Sequence, residues 1–224
     1  MQVQAIVFDF DGTVVDTETP WFLAASELFA RHGRTLDLSD WARGIGTSSE
    51  VFDLWGHLGR VTGQRVNRQA LEPQYRGRVA ELVAAEPLRP GVAALLSEAR
   101  DRGVRIGLAS SSERGWVCTH LARHGLQPAF DALCTREDVA RVKPDPALYR
   151  LAVKRLGVPA GATLAVEDSP NGALAAQRAG LPCVIVPNLT TNTLDFPPGS
   201  PRLASLDGIT LDTLTRLFPG QVEP

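Results

Sequence analysis

Two aspartates separated by one residue follow a short apolar run near the start of the chain. Residues 5–8 (AIVF) include β-branched and aromatic types, which predicts a buried strand. Asp9 and Asp11 come next, and Gly12 after them permits a sharp turn of the backbone. If the chain stays extended past Asp9, alternation places both carboxylates on one side, where a cation would relieve their repulsion. The pair indicates a metal-assisted nucleophile with an acid/base, or else a solvated Asp-Gly turn.

Two further positions carry groups that could hold an anion. Ser110 follows a predicted strand at 104–109, and its hydroxyl, the following amides and Ser111 suit an anion at a helix start. The alternative is a capping box, with Ser110 as the cap and Glu113 three residues later. Lys143 directly precedes a proline at a predicted helix start, which would hold its ammonium in place. The alternative for this lysine is a solvated position in a loop.

A fourth group ends the predicted strand at 163–166. Glu167 and Asp168 stand there, before a Ser-Pro pair that is also typical of an ordinary turn or helix cap. Because chemistry in open parallel sheets collects at the carboxyl ends of the strands, we expect the four groups to meet. Asp9, Asp11 and Asp168 offer the hard oxygen ligands that suit Mg²⁺. The other two candidates could bind a phosphoryl group: Ser110 would supply a hydroxyl donor and Lys143 a positive charge.

The elements that must position these groups follow from the hydrophobic periodicity. Residues 18–84 show helical spacing without strand-like alternation, whereas helices and strands alternate with short turns from residue 85 onward. This order predicts an α/β fold, a doubly wound and mainly parallel sheet made from residues 1–17 and 85–224, with an inserted all-helical cap domain at 18–84. The later segments are predicted as strands at 132–135 and 183–186, a solvated loop at 187–200 and a last edge strand at 203–205.

Composition limits the setting of the protein. The formal net charge of −2 over 224 residues gives no reason to expect a nucleic-acid partner or an acidic membrane surface. Three widely spaced cysteines argue against a disulfide framework and a zinc site. Neither a signal peptide nor an apolar run long enough to cross a bilayer is visible. We therefore expect a cytoplasmic protein, and a monomer.

Four segments of the chain, in order, resemble the motifs of the haloacid dehalogenase-like (HAD) hydrolase superfamily. The resemblance is closest to its branch with a small helical cap, which includes β-phosphoglucomutase and many sugar-phosphate phosphatases. It covers essentially the whole predicted core. The matching residues are Asp9-Phe10-Asp11-Gly12-Thr13, Ser110 after its strand, Lys143-Pro144-Asp145-Pro146, and Glu167-Asp168-Ser169 continuing to Gly172.

The resemblance implies a role for each matching residue. Asp9 would attack phosphorus and form an aspartyl-phosphate, which divides one hard step into two. Asp11 would protonate the leaving oxygen and then take a proton from the hydrolytic water. Mg²⁺ would be held by the Asp9 carboxylate, the backbone carbonyl of Asp11 and Asp168, with Glu167 nearby or acting through water. The phosphoryl oxygens would be held by Ser110 and Lys143.

The resemblance also implies a substrate class. We expect a Mg²⁺-dependent phosphatase acting on a small phosphorylated metabolite, such as a sugar phosphate or a similar monoester. The alternative within the family is a phosphomutase of the β-phosphoglucomutase type. Its cap offers a histidine and an arginine where this chain has Trp21 and Thr47, so the chain favours a phosphatase and these two residues become candidates for substrate binding.

Other interpretations of the same residues remain. A phosphate-accepting signalling module also pairs an aspartate with Mg²⁺, a hydroxyl and a lysine, but it has neither a helical insert nor a built-in base at the position of Asp11. Trp21, Trp41 and Trp55 lie on helical stripes that are typical of a core. The histidines show no paired spacing with carboxylates or cysteines, so we interpret all of them as structural or surface residues.

Overall fold

The computed structural model describes residues 3–42 and 53–218. Its strands are β1 (Ala5–Phe8), β2 (Arg105–Ala109), β3 (Ala132–Cys134), β4 (Thr163–Glu167) and β5 (Cys183–Ile185). Its α-helices are α1 (Glu18–Arg31), α2 (Leu38–Ala42), α3 (Leu54–Thr62), α4 (Arg68–Ala85), α5 (Val92–Asp101), α6 (Arg114–Arg123), α7 (Ala147–Leu156), α8 (Pro170–Arg178) and α9 (Leu211–Arg216). Thr47, one of the predicted substrate-binding residues, lies outside the described residues.

Among the described residues, five parallel strands form one sheet in the order β3-β2-β1-β4-β5. The central strand β1 pairs on both sides, with Ala5 opposite Arg105 of β2 and Thr163 of β4. Strand order therefore reverses at β1, and in sheets of this kind the crevice at the carboxyl end of that strand is where ligands bind. This sheet and its flanking helices confirm the predicted fold class.

The two faces of β1 explain why its residues are apolar without interruption. Ile6 and Phe8 belong to the cluster under α5, α6 and α9, while Ala5 and Val7 belong to the cluster under α7 and α8. All four side chains are fully buried. A strand covered on both faces needs an apolar run rather than alternation, and this arrangement fixes the level at which the run ends.

The helices between residues 18 and 85, here called the helical segment, have an apolar cluster of their own. Phe29 of α1, Leu58 of α3 and Val79 of α4 are buried in it. The predicted core tryptophans pack against the same cluster and are only partly buried: Trp21, Trp41 and Trp55. Within the described ranges, no helix combines the length and the apolar character that a membrane crossing requires.

The chain enters and leaves the helical segment at neighbouring points. Val15 pairs with Leu88 in an isolated antiparallel bridge, and the amide of Arg89 donates to the carbonyl of Val14 at 3.0 Å. The Arg89 guanidinium also donates to the carbonyls of Gly12, Val186 and Pro187, the last two at 2.8 Å. Arg89 thus ties the loops after β1 and β5 to the returning chain.

Two predictions about the last part of the chain are wrong. The expected edge strand at 203–205 is absent: only Arg202 forms an isolated bridge, with Ile185, before the chain bends away. The loop at 187–200 is not simply solvated, because Asn188, Thr190 and Thr191 are buried. Their polar groups satisfy one another, which lets a loop with this composition enter the interior.

Candidate active site

A buried ion-pair network lies at the carboxyl end of β1. Asp9 extends past the strand, with its amide donating to the carbonyl of Val166 at 2.9 Å. The Lys143 ammonium donates to Asp9 Oδ1 and, at 2.6 Å, to Glu167 Oε1. Tyr149 donates its hydroxyl to the same Glu167 oxygen at 2.6 Å. The side chains of Lys143, Asp9 and Glu167 are 6%, 9% and 0% exposed, so this lysine is not a solvated loop residue.

In this network, burial and the neighbouring charges shift the pKa values in opposite directions. Burial raises the pKa of Asp9, to about 8, although Lys143 opposes the shift. Burial would lower the pKa of the Lys143 ammonium, but its pairs with Asp9 and Glu167 outweigh that effect and raise it. Lys143 therefore stays charged. A second positive charge near Asp9 would be needed to hold its carboxylate fully ionised at neutral pH.

The acidic residues at this strand end could hold a divalent cation. Carboxylate oxygens of Asp9, Glu167 and Asp168 lie within 4.8 Å of one another, and all three residues are buried. Burial, followed by the charges of Asp9 and Glu167, raises the pKa of Asp168 well above its usual range. If all three carboxylates were ionised, the one ammonium of Lys143 would leave them a net charge of −2. The hard oxygens and this charge fit Mg²⁺.

Asp11 lies beside this cluster, but its carboxylate is occupied by four donors. Thr17 Oγ1 and Trp116 Nε1 donate to Oδ1, each at 2.8 Å. Ser112 Oγ donates to Oδ2 at 2.6 Å, and Ser110 Oγ to the same oxygen at 3.2 Å. The side chain of Asp11 is thus directed at hydroxyl and indole groups, and does not belong to the acidic cluster.

Ser110 does not form the capping box that its spacing permits. Helix α6 begins at Arg114 with Glu113 at its N-cap, and Glu113 makes no capping hydrogen bond with its side chain. The fully buried Ser110 hydroxyl instead accepts the amide of Ser112 at 3.0 Å. The alternative of an ordinary helix cap applies at Ser169, whose hydroxyl accepts the amide of Gly172 at 3.1 Å.

Three residues that hold Asp11 are missing from the sequence-based predictions: Thr17, Ser112 and Trp116. No helical spacing signals the last two, because Ser112 precedes Glu113, the N-cap of α6, and so does not share a helix face with Trp116. The Trp116 ring packs edge-on against His120, with ring centroids 4.3 Å apart, and also contacts the cluster of the helical segment. Trp116 therefore joins Asp11 to both parts of the chain.

We expect Trp116→Phe to release Asp11 while preserving most of the packing. Phenylalanine keeps an aromatic ring against His120 but removes the indole N–H that reaches Asp11. Loss of a hydrogen bond to a charged group should cost about 1.5–3 kcal/mol of unfolding free energy, less any gain from solvation. Urea denaturation measures this change. Trp55→Phe is the matched control, and an equal loss in the two variants would show that the indole bond to Asp11 contributes nothing.

A cavity of about 490 Å³ opens above Asp11. The helical segment contributes Glu18, Trp21 and Arg76 to its wall. Besides Asp11, the rest of the wall comes from the sheet side: Thr17, Ser111, Ser112, Glu113, Trp116 and Arg136. The predicted substrate-binding residues Trp21 and Ser111 thus line this cavity. Ser110 and Lys143 are not among its lining residues: Ser110 contacts Asp11, and Lys143 contacts Asp9 and Glu167. Aromatic, hydroxyl and charged groups of both signs suit a polar organic molecule.

The carboxyl group of Glu18, in the wall of this cavity, has a raised pKa. Burial raises the pKa of its carboxyl to about 7, and the charges of Asp11 and Asp16 add to the effect. The folded protein thus binds this proton more tightly than the unfolded chain, in which the pKa is near 4.5. The stability associated with Glu18 is complete below pH 4.5 and is lost as the pH rises through 7.

Glu18→Gln should remove the loss of folding stability that ionisation of Glu18 causes at high pH. We expect the variant to exceed the wild type by about 1–3 kcal/mol in unfolding free energy above pH 7, and the difference to vanish below pH 4.5. Thermal unfolding between pH 4 and 9 measures both curves. Glu81→Gln, at an exposed position of α4, is the control. If stability depended on pH in the same way in the wild type and in Glu18→Gln, the raised pKa of Glu18 would be contradicted.

Comparison with known proteins gives the family. The sequence profile of the haloacid dehalogenase-like hydrolases matches residues 3–180. The chain belongs to this family. It is therefore an enzyme of the hydrolase class, as its motifs predict, and the matched region contains every residue of the network around Asp9 and Asp11.

Individual HAD relatives are similar along most of the chain. YhcW of Bacillus subtilis, whose name assigns a phosphatase only provisionally, is 46% identical over 204 residues, covering 91% of this chain and 92% of its own length. Hexitol phosphatase B of Escherichia coli K12 is 32% identical over 191 residues, covering 83% of this chain and 84% of its own. A crystal structure of CbbY from Rhodobacter sphaeroides with xylulose-(1,5)bisphosphate has a TM-score of 0.71 at 29% identity, covering 95% of this chain and 99% of CbbY.

Proposed function

We propose that the protein is a Mg²⁺-dependent phosphatase that hydrolyses a small phosphorylated metabolite, a sugar phosphate or similar monoester, through an aspartyl-phosphate. The observation that carries the proposal is the position of Asp9 at the carboxyl end of the central strand, where it pairs with a buried ammonium and lies close to two further carboxylates. The phosphatase names of two relatives and the sugar bisphosphate bound to a third agree with this chemistry.

The metal would be held by Asp9, Asp168 and the backbone carbonyl of Asp11, with Glu167 beside them. When bound, it supplies positive charge that lowers the repulsion between an anionic nucleophile and an anionic ester. Lys143 orients the Asp9 carboxylate and offers its remaining N–H to a phosphoryl oxygen. Ser110 and the amides that follow it are the proposed neighbours of the other phosphoryl oxygens.

Asp11 is the proposed acid and base. As an acid it protonates the leaving oxygen while Asp9 attacks phosphorus, and as a base it takes a proton from the water that attacks the aspartyl-phosphate. In this structure the carboxylate of Asp11 accepts four hydrogen bonds from neighbouring side chains. For catalysis Asp11 must exchange at least one of these bonds for the substrate oxygen, so we assign the present arrangement to a resting state.

We propose that the helical segment is a cap that covers the cavity and selects the substrate. It places Glu18, Trp21 and Arg76 opposite the serines of the sheet side. Trp21 is half-buried and packs edge-on against Tyr75, with ring centroids 5.7 Å apart, so one part of its ring is fixed while the rest faces the cavity. A neutral ring at this position suits the apolar side of a sugar or polyol.

Phosphate release from a panel of phosphorylated sugars, polyols and acids tests this function. We expect phosphate release that requires Mg²⁺ and stops when a chelator is added. The substrate that is hydrolysed fastest identifies the substrate class. Isomerisation of a hexose 1-phosphate to the 6-phosphate, with a bisphosphate activator, would favour the mutase alternative. Phosphorylation of the protein without turnover would favour the signalling module.

A further inference from the structure

The loop after β5 contains a buried asparagine whose side chain has a fixed orientation. Asn188 Oδ1 accepts the amides of Thr190 and Thr191 at 2.9 and 3.0 Å. It also accepts the hydroxyls of the same two threonines at 2.8 and 3.2 Å. Because backbone amides can only donate, the oxygen of this side chain must face the loop. The NH₂ group of Asn188 must therefore point the other way.

That NH₂ group points at Asp168. Asn188 Nδ2 donates to Asp168 Oδ2 at 2.8 Å, and both residues are buried. Gly12 lies against the same pair, with a φ of +87°, and a Cβ there would come within 2.2 Å of Asp168 Oδ2 and 2.7 Å of Asn188 Nδ2. The Asp168 carboxylate is thus confined between a backbone without a side chain and a single amide donor.

We propose that Asn188 is a positioning residue for Asp168, and that its amide sets the affinity of the acidic cluster for Mg²⁺. An amide donor fixes the orientation of the carboxylate without neutralising its charge, whereas a lysine here would cancel one of the negative charges that attract the cation. The bond engages Oδ2, and Oδ1 accepts no hydrogen bond from the described residues. This inference rests on the proposed metal site.

The competing explanation is that Asn188 only stabilises its loop. Thr190→Val separates the two roles, because valine has nearly the same shape, removes a hydroxyl bonded to Asn188 Oδ1 and leaves the bond to Asp168 in place. Asn188→Ser makes the opposite change. A serine oxygen can still accept the Thr190 amide in a local turn, but it is too short to reach Asp168.

Calorimetric titration of Mg²⁺ into the metal-free full chain tests the proposal. We expect Asn188→Ser and Asn188→Ala to bind Mg²⁺ about 10- to 100-fold more weakly than the wild type, the range for residues that orient metal ligands. Thr190→Val should bind Mg²⁺ within about twofold of the wild type even if its melting temperature falls. Substrate KM at saturating Mg²⁺ should change little in all three.

Two results would overturn the proposal: wild-type Mg²⁺ affinity in the Asn188 variants, or equal weakening in Thr190→Val. If neither Asn188 variant folds, the wild-type side-chain amide resonance of Asn188 decides, because it must shift when Mg²⁺ is added and an unmoved resonance contradicts the role. A wild-type protein that binds no Mg²⁺ would instead refute the metal site itself, so the two failures are distinguishable.

Discussion

Asp9→Asn should abolish phosphate release, with a loss of at least about 10⁴-fold in kcat, because the amide cannot attack phosphorus. The fold should survive, since asparagine has nearly the same volume and Lys143 keeps its 2.6 Å bond to Glu167. Steady-state phosphate release measures the loss. Mass spectrometry of acid-quenched samples should show a phosphorylated peptide containing residue 9 in the wild type alone.

Asp101→Asn is the matched control, because Asp101 is exposed at the end of α5. It should release phosphate at the wild-type rate. Substantial turnover by Asp9→Asn, with its circular dichroism unchanged, would refute the covalent route and leave direct attack by water as the mechanism. A phosphorylated peptide that persists in Asp9→Asn would move the nucleophile to another residue.

Lys143→Met should produce the largest change in stability. Methionine fills a similar volume but leaves Asp9 and Glu167 as buried carboxylates without a cation, which should cost about 3–5 kcal/mol of unfolding free energy in metal-free buffer. Saturating Mg²⁺ should restore part of this, because a cation that binds only the folded state stabilises it. Urea unfolding with chelator and with Mg²⁺ measures both effects.

The other lysine of the chain provides the control for this prediction. Lys154 is exposed on α7, and Lys154→Met should change the unfolding free energy by less than about 0.5 kcal/mol under either condition. A Lys143→Met variant as stable as the wild type in chelator would mean that Asp9 takes up a proton at no cost. The ion pair would then contribute little to holding the site together.

The sheet and the acidic residues of the site could be predicted from the sequence. An apolar run that ends in Asp9, a lysine before a proline and a Glu-Asp pair after a strand are local patterns. The topology of a parallel sheet brings such strand ends together. Their meeting in one ion-pair network follows from strand order, which alternating helices and strands already imply.

The groups that orient the acidic residues could not be predicted in the same way. Trp116 reaches Asp11 and Asn188 reaches Asp168 only because α6 and the loop after β5 pack against particular strand ends. No spacing within the chain encodes these contacts. The prediction of a solvated loop at 187–200 failed for a related reason. Its Asn and Thr residues are typical of a solvated turn, but in the structure they form hydrogen bonds with one another in the interior.

The bridge between Val15 and Leu88 bears on how the molecule assembles. Strands β1 and β2 pair although Ala5 and Arg105 are far apart in the chain, a separation that would make closure slow and entropically costly. The bridge brings the two ends of the intervening helices side by side, so a chain closed there reaches β2 by a much shorter path. The pairing of β1 with β2 then spans a shorter effective separation, while β1 and β4 remain distant in the chain. Insertions or exchanges within the helical segment would leave the register of the sheet unchanged.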